Sequence, residues 1–259
     1  MPEGDVVWNT ARRLNQALAG RVLSRSDFRV PRYATVNLAG QTVTEAVSRG
    51  KHLLTRTDRG LTVHTHLKME GSWRVSPASG PPPRASYQLR VLLANAEWTA
   101  AGYQLGITEV LPTANEDQVV GHLGPDLLGP DWDAGAAVAR LARDPARPVG
   151  EALLDQRNLA GLGTWFLAEM LFLRGIDPSR PVGSVEDLDA LVSVGHRLLE
   201  ANKARPGHSS TGDVTPGRDS WVYGRAGKRC RRCGTVIRRA EQGAPGQERL
   251  RFWCPNCQR

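Results

Sequence analysis

The sequence predicts an α+β multidomain protein, on three observations. One amphipathic helix and a series of strand-like runs fill residues 1–120, the hydrophobic period turns helical after about residue 149, and two Cys-x2-Cys pairs close the chain. A length of 259 residues fits about one to two ordinary domains, and 40% hydrophobic residues supply their cores.

At the front, Asp5 is placed to cap a helix whose apolar positions Val7, Ala11, Leu14 and Leu18 fall on one face. Such a helix needs a sheet to pack on. Strand-like segments follow at Thr42–Ser48, Leu53–Thr57, Leu61–Leu67 and Tyr87–Ala94. In the third, Leu61, Val63, Thr65 and Leu67 alternate with Thr62, His64 and His66. Ser76–Arg84 reads as a loop, because three successive prolines remove ladder donors and fix φ. The stretch 121–148, broken by Gly124-Pro125, Gly129-Pro130, Pro145 and Pro148, predicts an interdomain linker with one short helix. Beyond it, Glu151–Leu159, Thr164–Arg174 and Val185–Asn202 are helix candidates, and Gly161 and Gly163 make a tight turn between the first two. Glu169 is the only charge in Trp165–Leu173, so it either faces solvent or is buried and hydrogen-bonded.

The chain carries 34 Lys and Arg against 26 Asp and Glu, a formal net charge of +8, which favours a polyanionic partner. Nine basic residues and only Glu241 and Glu248 lie within 228–259, so a net +7 sits in the last 32 residues. A solvated basic tail is the plain alternative. Against it stand Cys230, Cys233, Cys254 and Cys257, with Phe252 and Trp253, embedded in that charge. No run reaches the roughly 18 uncharged apolar residues of a membrane span, and MPEGDVVW lacks the pattern of a signal peptide. The sequence therefore predicts a soluble, cytoplasmic protein with no membrane partner, in a compartment where thiols stay reduced. The two Cys-x2-Cys pairs, 20 residues apart, fit the knuckles of a tetrahedral four-cysteine zinc site across a β-hairpin. Four protein ligands leave no open position, so this one zinc is expected to be structural and the chemistry must lie elsewhere.

Three segments together resemble the Fpg/Nei family of DNA glycosylases: the start Met1-Pro2-Glu3-Gly4, the stretch Asp155-Gln156-Arg157-Asn158-Leu159-Ala160-Gly161-Leu162-Gly163, and the closing four-cysteine finger. Their order and spacing span essentially the whole chain. The resemblance implies an N-terminal β-sandwich catalytic domain over 1–120, a linker over 121–148, a helix-two-turns-helix DNA-binding domain over 149–222 and a zinc finger over 223–259. Within the family the chain is similar to the endonuclease VIII (Nei) branch, of actinobacterial type. Leu105-Gly106-Ile107-Thr108-Glu109-Val110 offers no counterpart to the arginine with which the Fpg branch faces the orphaned cytosine. That tilts the expected substrate toward oxidised pyrimidines.

The activity so implied is that of a bifunctional DNA glycosylase and AP lyase of base excision repair. Removal of Met1 leaves Pro2 as a secondary α-amine. At a generic α-amino pKa of ~7.7–8.0 roughly one such amine in ten is neutral at pH 7, against roughly one in a few thousand for lysine. Its attack on sugar C1′ gives a cationic iminium, an electron sink for β- and δ-elimination. Glu3 takes the family's general-acid role. The family's second acidic residue is replaced by Val6, with Asp5 one step away. The resemblance further assigns Lys51 to a phosphate near the lesion and Met69 to the gap left by the everted nucleotide. Gly163 and the helix start after it are assigned to phosphate, with Thr164 standing where the family has Asn. Arg249, five residues before Cys254, is assigned to the flanking phosphates, with Arg251 beside it. Taken singly, Lys51 and Arg249 are ordinary solvated charges and Met69 a core residue. Damaged DNA is the implied partner, a monomer the implied state and the nucleoid the implied location. Two rival readings stay open: a catalytically impaired damaged-DNA-binding protein of the same fold, motivated by Val6 and Thr164, and an RNA or protein adaptor built on the helices and zinc ribbon.

Overall fold

The structure, a computed structural model, describes residues 2–80, 87–205, 207–244, 246 and 248–259. It divides into two compact units, one ending at His122 and the other beginning at Leu123.

The first unit opens with helix α1 (Gly4–Leu18). The helix starts earlier than a cap at Asp5 places it: Glu3 is the capping position, the Val7 amide donates to the Glu3 carbonyl at 3.1 Å, and Asp5 lies in the first turn. There its carboxylate meets the positive end of the helix dipole. Eight strands follow: β1 (Arg25–Phe28), β2 (Val43–Arg49), β3 (His52–Thr57), β4 (Leu61–His66), β5 (Ser72–Pro77), β6 (Leu89–Ala94), β7 (Trp98–Tyr103) and β8 (Ile107–Pro112). They form two antiparallel sheets, ordered β1-β6-β7-β5 and β2-β3-β4-β8, and a short helix α2 (Asp117–Val120) ends the unit. Val7, Ala11, Leu14 and Leu18 of α1 are all buried in one core with Phe28, Leu53, Val63, Trp73, Val91, Leu93 and Ala100, drawn from both sheets. This is the predicted β-sandwich with its N-terminal helix. Of the predicted loop Ser76–Arg84, Ser76 and Pro77 instead end β5, and residues 81–84 lie outside the described residues.

Two hydrogen bonds fix the direction of α1. The Gly20 amide donates to the Val43 carbonyl at 2.8 Å, and the Ala46 amide to Asn15 Oδ1 at 2.8 Å. Moving back along the helix therefore means moving forward along β2. With rises of about 1.5 Å per helical and 3.3 Å per strand residue, the ~16 Å of helix before Asn15 spans about the same length as Ala46 to Lys51. This course directs the N-terminus of α1 toward the end of the sheet that carries the turn between β2 and β3.

The second unit contains helices α3 (Ala134–Leu141), α4 (Val149–Leu154), α5 (Thr164–Arg174) and α6 (Leu188–Asn202) and the hairpin β9 (Arg238–Gln242) to β10 (Arg249–Trp253). From Leu123 the Gly- and Pro-broken stretch packs into this unit: Leu127, Ala137 and Leu141 are buried with Val149, Phe166 and Leu191. Helix α4 is shorter than the predicted Glu151–Leu159. Asp155 turns the chain by accepting from the Arg157 amide at 3.1 Å and from the guanidinium groups of Arg157 and Arg147. Helix α5 has the predicted ends, with Gly163 extended before it and Gly175 at φ +71° closing it. Helix α6 starts at Leu188 rather than Val185 because Asp187 caps it, accepting from the Ala190 amide at 2.8 Å. The hairpin packs on α5: Ala168 and Phe172 share a buried cluster with Ile237, Phe252, Cys230 and Cys254. Among the described residues no helix is long and apolar enough to cross a membrane.

Candidate functional site

Four of the predicted site residues belong to one end of the first unit. Pro2 and Glu3 precede α1, whose course directs its N-terminus toward the β2–β3 turn, and Lys51 sits in that turn, half-buried. His52 at the start of β3 is paired with His66 at the end of β4, so the turn after β4, which carries Met69, lies at the same end. Glu3 is 1% exposed and Pro2 half-buried. Pro2 thus adjoins a sequestered carboxyl group. Asp5 does not replace the missing acid at position 6: Asp5 is buried, whereas Val6 is 37% exposed, so consecutive helical residues face different ways.

The Met69 turn is built to project. Lys68 adopts φ +52° and its amide donates to His66 Nδ1 at 2.9 Å, while the Gly71 amide donates to the Leu67 carbonyl at 2.9 Å. A Cβ on Gly71 would lie 2.3 Å from the Leu67 carbonyl oxygen, so only glycine closes this turn. Met69 stands out of it, 62% exposed.

The remaining predicted residues are carried by the second unit. Gly163 and Thr164 form the start of α5, and both are buried. Arg249 opens β10, exposed, opposite Gln242. Arg251 is engaged within the protein: it donates to Ser179 Oγ and lies 5.0 Å from the Trp253 ring.

Cys230, Cys233, Cys254 and Cys257 offer four sulfurs all within 4.8 Å of one another. A tetrahedron with metal–sulfur bonds of about 2.3 Å puts its sulfurs about 3.8 Å apart. The observed Cys230–Cys257 and Cys233–Cys254 separations are 4.0 and 3.5 Å, and no disulfide joins these residues. Burial pushes the Cys254 and Cys257 thiols up while hydrogen bonding with Thr235 holds the Cys233 thiol down, and four thiolates this close together call for a cation among them. The set fits a closed, structural metal site.

Two features lie beyond the reach of the sequence motifs. Glu169 is fully buried, and its carboxylate accepts from the amides of Trp221, Val222 and Tyr223 at 2.7, 3.0 and 2.8 Å and from the Ser210 hydroxyl. His52, His64, His66 and Glu109 form a polar row across β3, β4 and β8 to which no motif points. Its one signal in the sequence is the alternation of Thr62, His64 and His66 with apolar residues.

Comparison with known proteins places this arrangement. The family model of the formamidopyrimidine-DNA glycosylase N-terminal domain matches residues 1–102, and that of the formamidopyrimidine-DNA glycosylase H2TH domain matches residues 123–205. The chain is 54% identical to the probable endonuclease 8 2 of Streptomyces coelicolor, with 100% of this chain and 94% of that protein covered. It is 48% identical to the DNA-(apurinic or apyrimidinic site) lyase Nei2 of Mycolicibacterium smegmatis, covering 100% of this chain and 99% of that one. In fold it is similar to the Lactococcus lactis formamidopyrimidine DNA glycosylase bound non-covalently to DNA containing an AP site, with a TM-score of 0.81, 22% identity and 99% of each chain covered.

Proposed function

Because the chain belongs to the Fpg/Nei family of DNA glycosylases, we propose that it is a bifunctional DNA glycosylase and AP lyase of base excision repair that excises oxidised bases, pyrimidines above all. What supports this reading is the course of α1 against β2, which directs Pro2 and Glu3 toward the end of the sandwich that bears Lys51 and the Met69 turn.

In the proposed reaction Met1 is removed and the neutral Pro2 nitrogen adds to C1′ of the damaged nucleotide. The C1′–N bond to the base breaks and its electron pair leaves with the base; the Pro2 nitrogen then loses its proton and the C1′–O4′ bond opens as the nitrogen lone pair forms the iminium, Glu3 delivering the proton that the opening needs at O4′. The resulting iminium acidifies the C2′ hydrogen; its removal expels the 3′ phosphate, and a second elimination expels the 5′ phosphate. Water then hydrolyses the iminium and restores the amine. Lys51 holds a backbone phosphate, Met69 fills the stack vacated by the everted base, and Gly163, Thr164 and Arg249 contact the DNA backbone. One zinc on Cys230, Cys233, Cys254 and Cys257 would fix the finger that carries Arg249. The protein works as a monomer on damaged DNA of the nucleoid.

Borohydride trapping tests this. The native protein is expected to form a covalent adduct with an oligonucleotide carrying an oxidised pyrimidine, and to lose it when the Pro2 amine is blocked. An adduct that survives blocking overturns the nucleophile; binding without any product selects the impaired damaged-DNA binder instead. Glu3→Gln should slow base excision by about 10²–10⁴-fold while leaving cleavage of a preformed abasic site far less affected. Faster release of an oxidised purine than of an oxidised pyrimidine overturns the substrate preference.

A further inference from the structure

The sheet β2-β3-β4-β8 turns one face away from the core, and this face is polar at both ends with Leu54 between them. At one end Arg56 lies between Glu116 and Glu45, and the Thr62 hydroxyl donates to Glu116 at 2.6 Å. At the other end His64 is opposite Glu109 and His52 is opposite His66, which puts His52 diagonal to His64 on the same face. Glu109 Oε2 lies 3.1 Å from His64 Nδ1, and His64 Nε2 lies 2.8 Å from His52 Nδ1. The planes of these two rings are within 18° of one another, and His66 and His122 meet His52 edge-on at 4.9 and 6.2 Å.

The chemistry of the row fixes its protons. A carboxylate only accepts, so His64 presents Nδ1–H to Glu109. Neutral His64 then has its lone pair on Nε2, and His52 must donate from Nδ1. The lone pair of the last ring accordingly falls on His52 Nε2. We infer that Glu109, His64 and His52 form a hydrogen-bonded relay that fixes the His52 ring so that it takes up a proton at Nε2 when a phosphodiester of DNA docks beside Lys51, with Glu109 and His64 acting as positioning residues. This rests on the reading of the chain as a DNA-binding enzyme. The proton comes from solvent, the new N–H donates to a phosphate oxygen, and no other bond changes.

The electrostatics support the direction. Around His52 stand Arg49 at the end of β2, Lys51 from the β2–β3 turn, His66 from β4, Lys68 from the turn after it and His122 beyond α2. Glu109 and Glu116 face His64, and Glu70 is turned to Gln104 at 3.2 Å. Burial, then His66, His64, His122 and Lys68, pull the His52 pKa down to about 3. Burial with Lys68, Lys51 and His64 pulls His66 down to about 4. The ring is thus neutral in the DNA-free protein. An anion within ~4–6 Å favours the charged imidazole, so docking raises its pKa, the complex holds the extra proton, and binding tightens as pH falls.

The test is the affinity for an undamaged duplex at constant ionic strength, followed by fluorescence anisotropy between about pH 5 and pH 7. Native protein is expected to bind up to about tenfold more tightly per pH unit lost, the signature of one proton taken up. His52→Gln should flatten that slope, and Glu109→Gln should reduce it with much less change in affinity at higher pH. Equal slopes in all three proteins, or no slope in the native one, overturn the relay. A readout free of substitutions is NMR titration of the native imidazole nitrogens: the His52 midpoint must move upward on adding duplex, and an unmoved midpoint overturns the relay as well. Undamaged DNA keeps the two readings apart, because base excision can fail with the slope intact, or proceed with the slope absent.

Discussion

Glu169 shows how much one side chain can organise. Its carboxylate collects three amides more than fifty residues further along the chain, together with the Ser210 hydroxyl, and so fastens the segment before the finger to α5. The sequence leaves this residue between solvent and core because backbone donors so distant in the chain leave no local trace. Removing it strands the buried Val222 amide and the half-buried amides of Trp221 and Tyr223, and a buried amide left unsatisfied costs about 1–3 kcal/mol. Glu169→Ala is therefore expected to destabilise the second unit by more than about 1 kcal/mol, read as a lower denaturant midpoint; an unchanged midpoint contradicts the account. The histidine row makes a second statement at this scale. Because His52 and His66 have folded pKa values of about 3 and 4, below the ordinary value of about 6.5, the unfolded chain binds more protons between those limits. Stability should fall as pH drops from about 6.5 toward 4, and His52→Gln should make that fall shallower in urea titrations. A free protein that grows more stable over this window refutes the sign.

At the scale of elements, legibility follows burial. The four predicted strands correspond to β2, β3, β4 and β6, whose apolar residues supply much of the sandwich core. The edge strands β1, β5 and β8 escape a sequence reading because water takes most of their side chains: β1 buries only Phe28 and β5 only Trp73. β7 is a central strand and escapes it for another reason. A Cβ on Gly102 would lie 2.6 Å from Leu105 Cδ1 and 2.9 Å from Val91 Cγ1, so the packing selects small residues that carry no hydrophobic period. Helix α5 is fully legible because glycine marks both of its ends. The candidate site divides likewise, since the terminus, the lysine and the cysteines are visible as motifs, whereas the histidine row exists only once three strands are laid side by side. The Met69 turn offers a test at this level. Gly71→Ala meets the Leu67 carbonyl and should force the turn open, at about 1–3 kcal/mol, moving Met69. Base excision is expected to drop while binding of undamaged DNA holds; unchanged excision at unchanged stability argues against a role for this turn.

For the whole molecule, charge and metal are coupled. The finger region holds nearly all of the net positive charge and is hydrophobically thin, resting on a small cluster that includes two of its own cysteines. A structural zinc contributes about 10–16 kcal/mol in isolated fingers, so verified metal removal should unfold residues 223–259. Persistence of the native Trp253 signal in a metal-free sample counts against a structural metal. Arg249→Ala should weaken binding of every sequence alike and lower the slope of log affinity against log salt by about 0.9; an unchanged slope removes Arg249 from the DNA contact.

Phe172, near the far end of α5, packs against the finger, and Thr164 begins the same helix beside the glycine turn. Eleven residues make a rod about 16 Å long. One helix thus carries both the support of the cysteines and the glycine turn, and the two are best regarded as opposite arms of one lever.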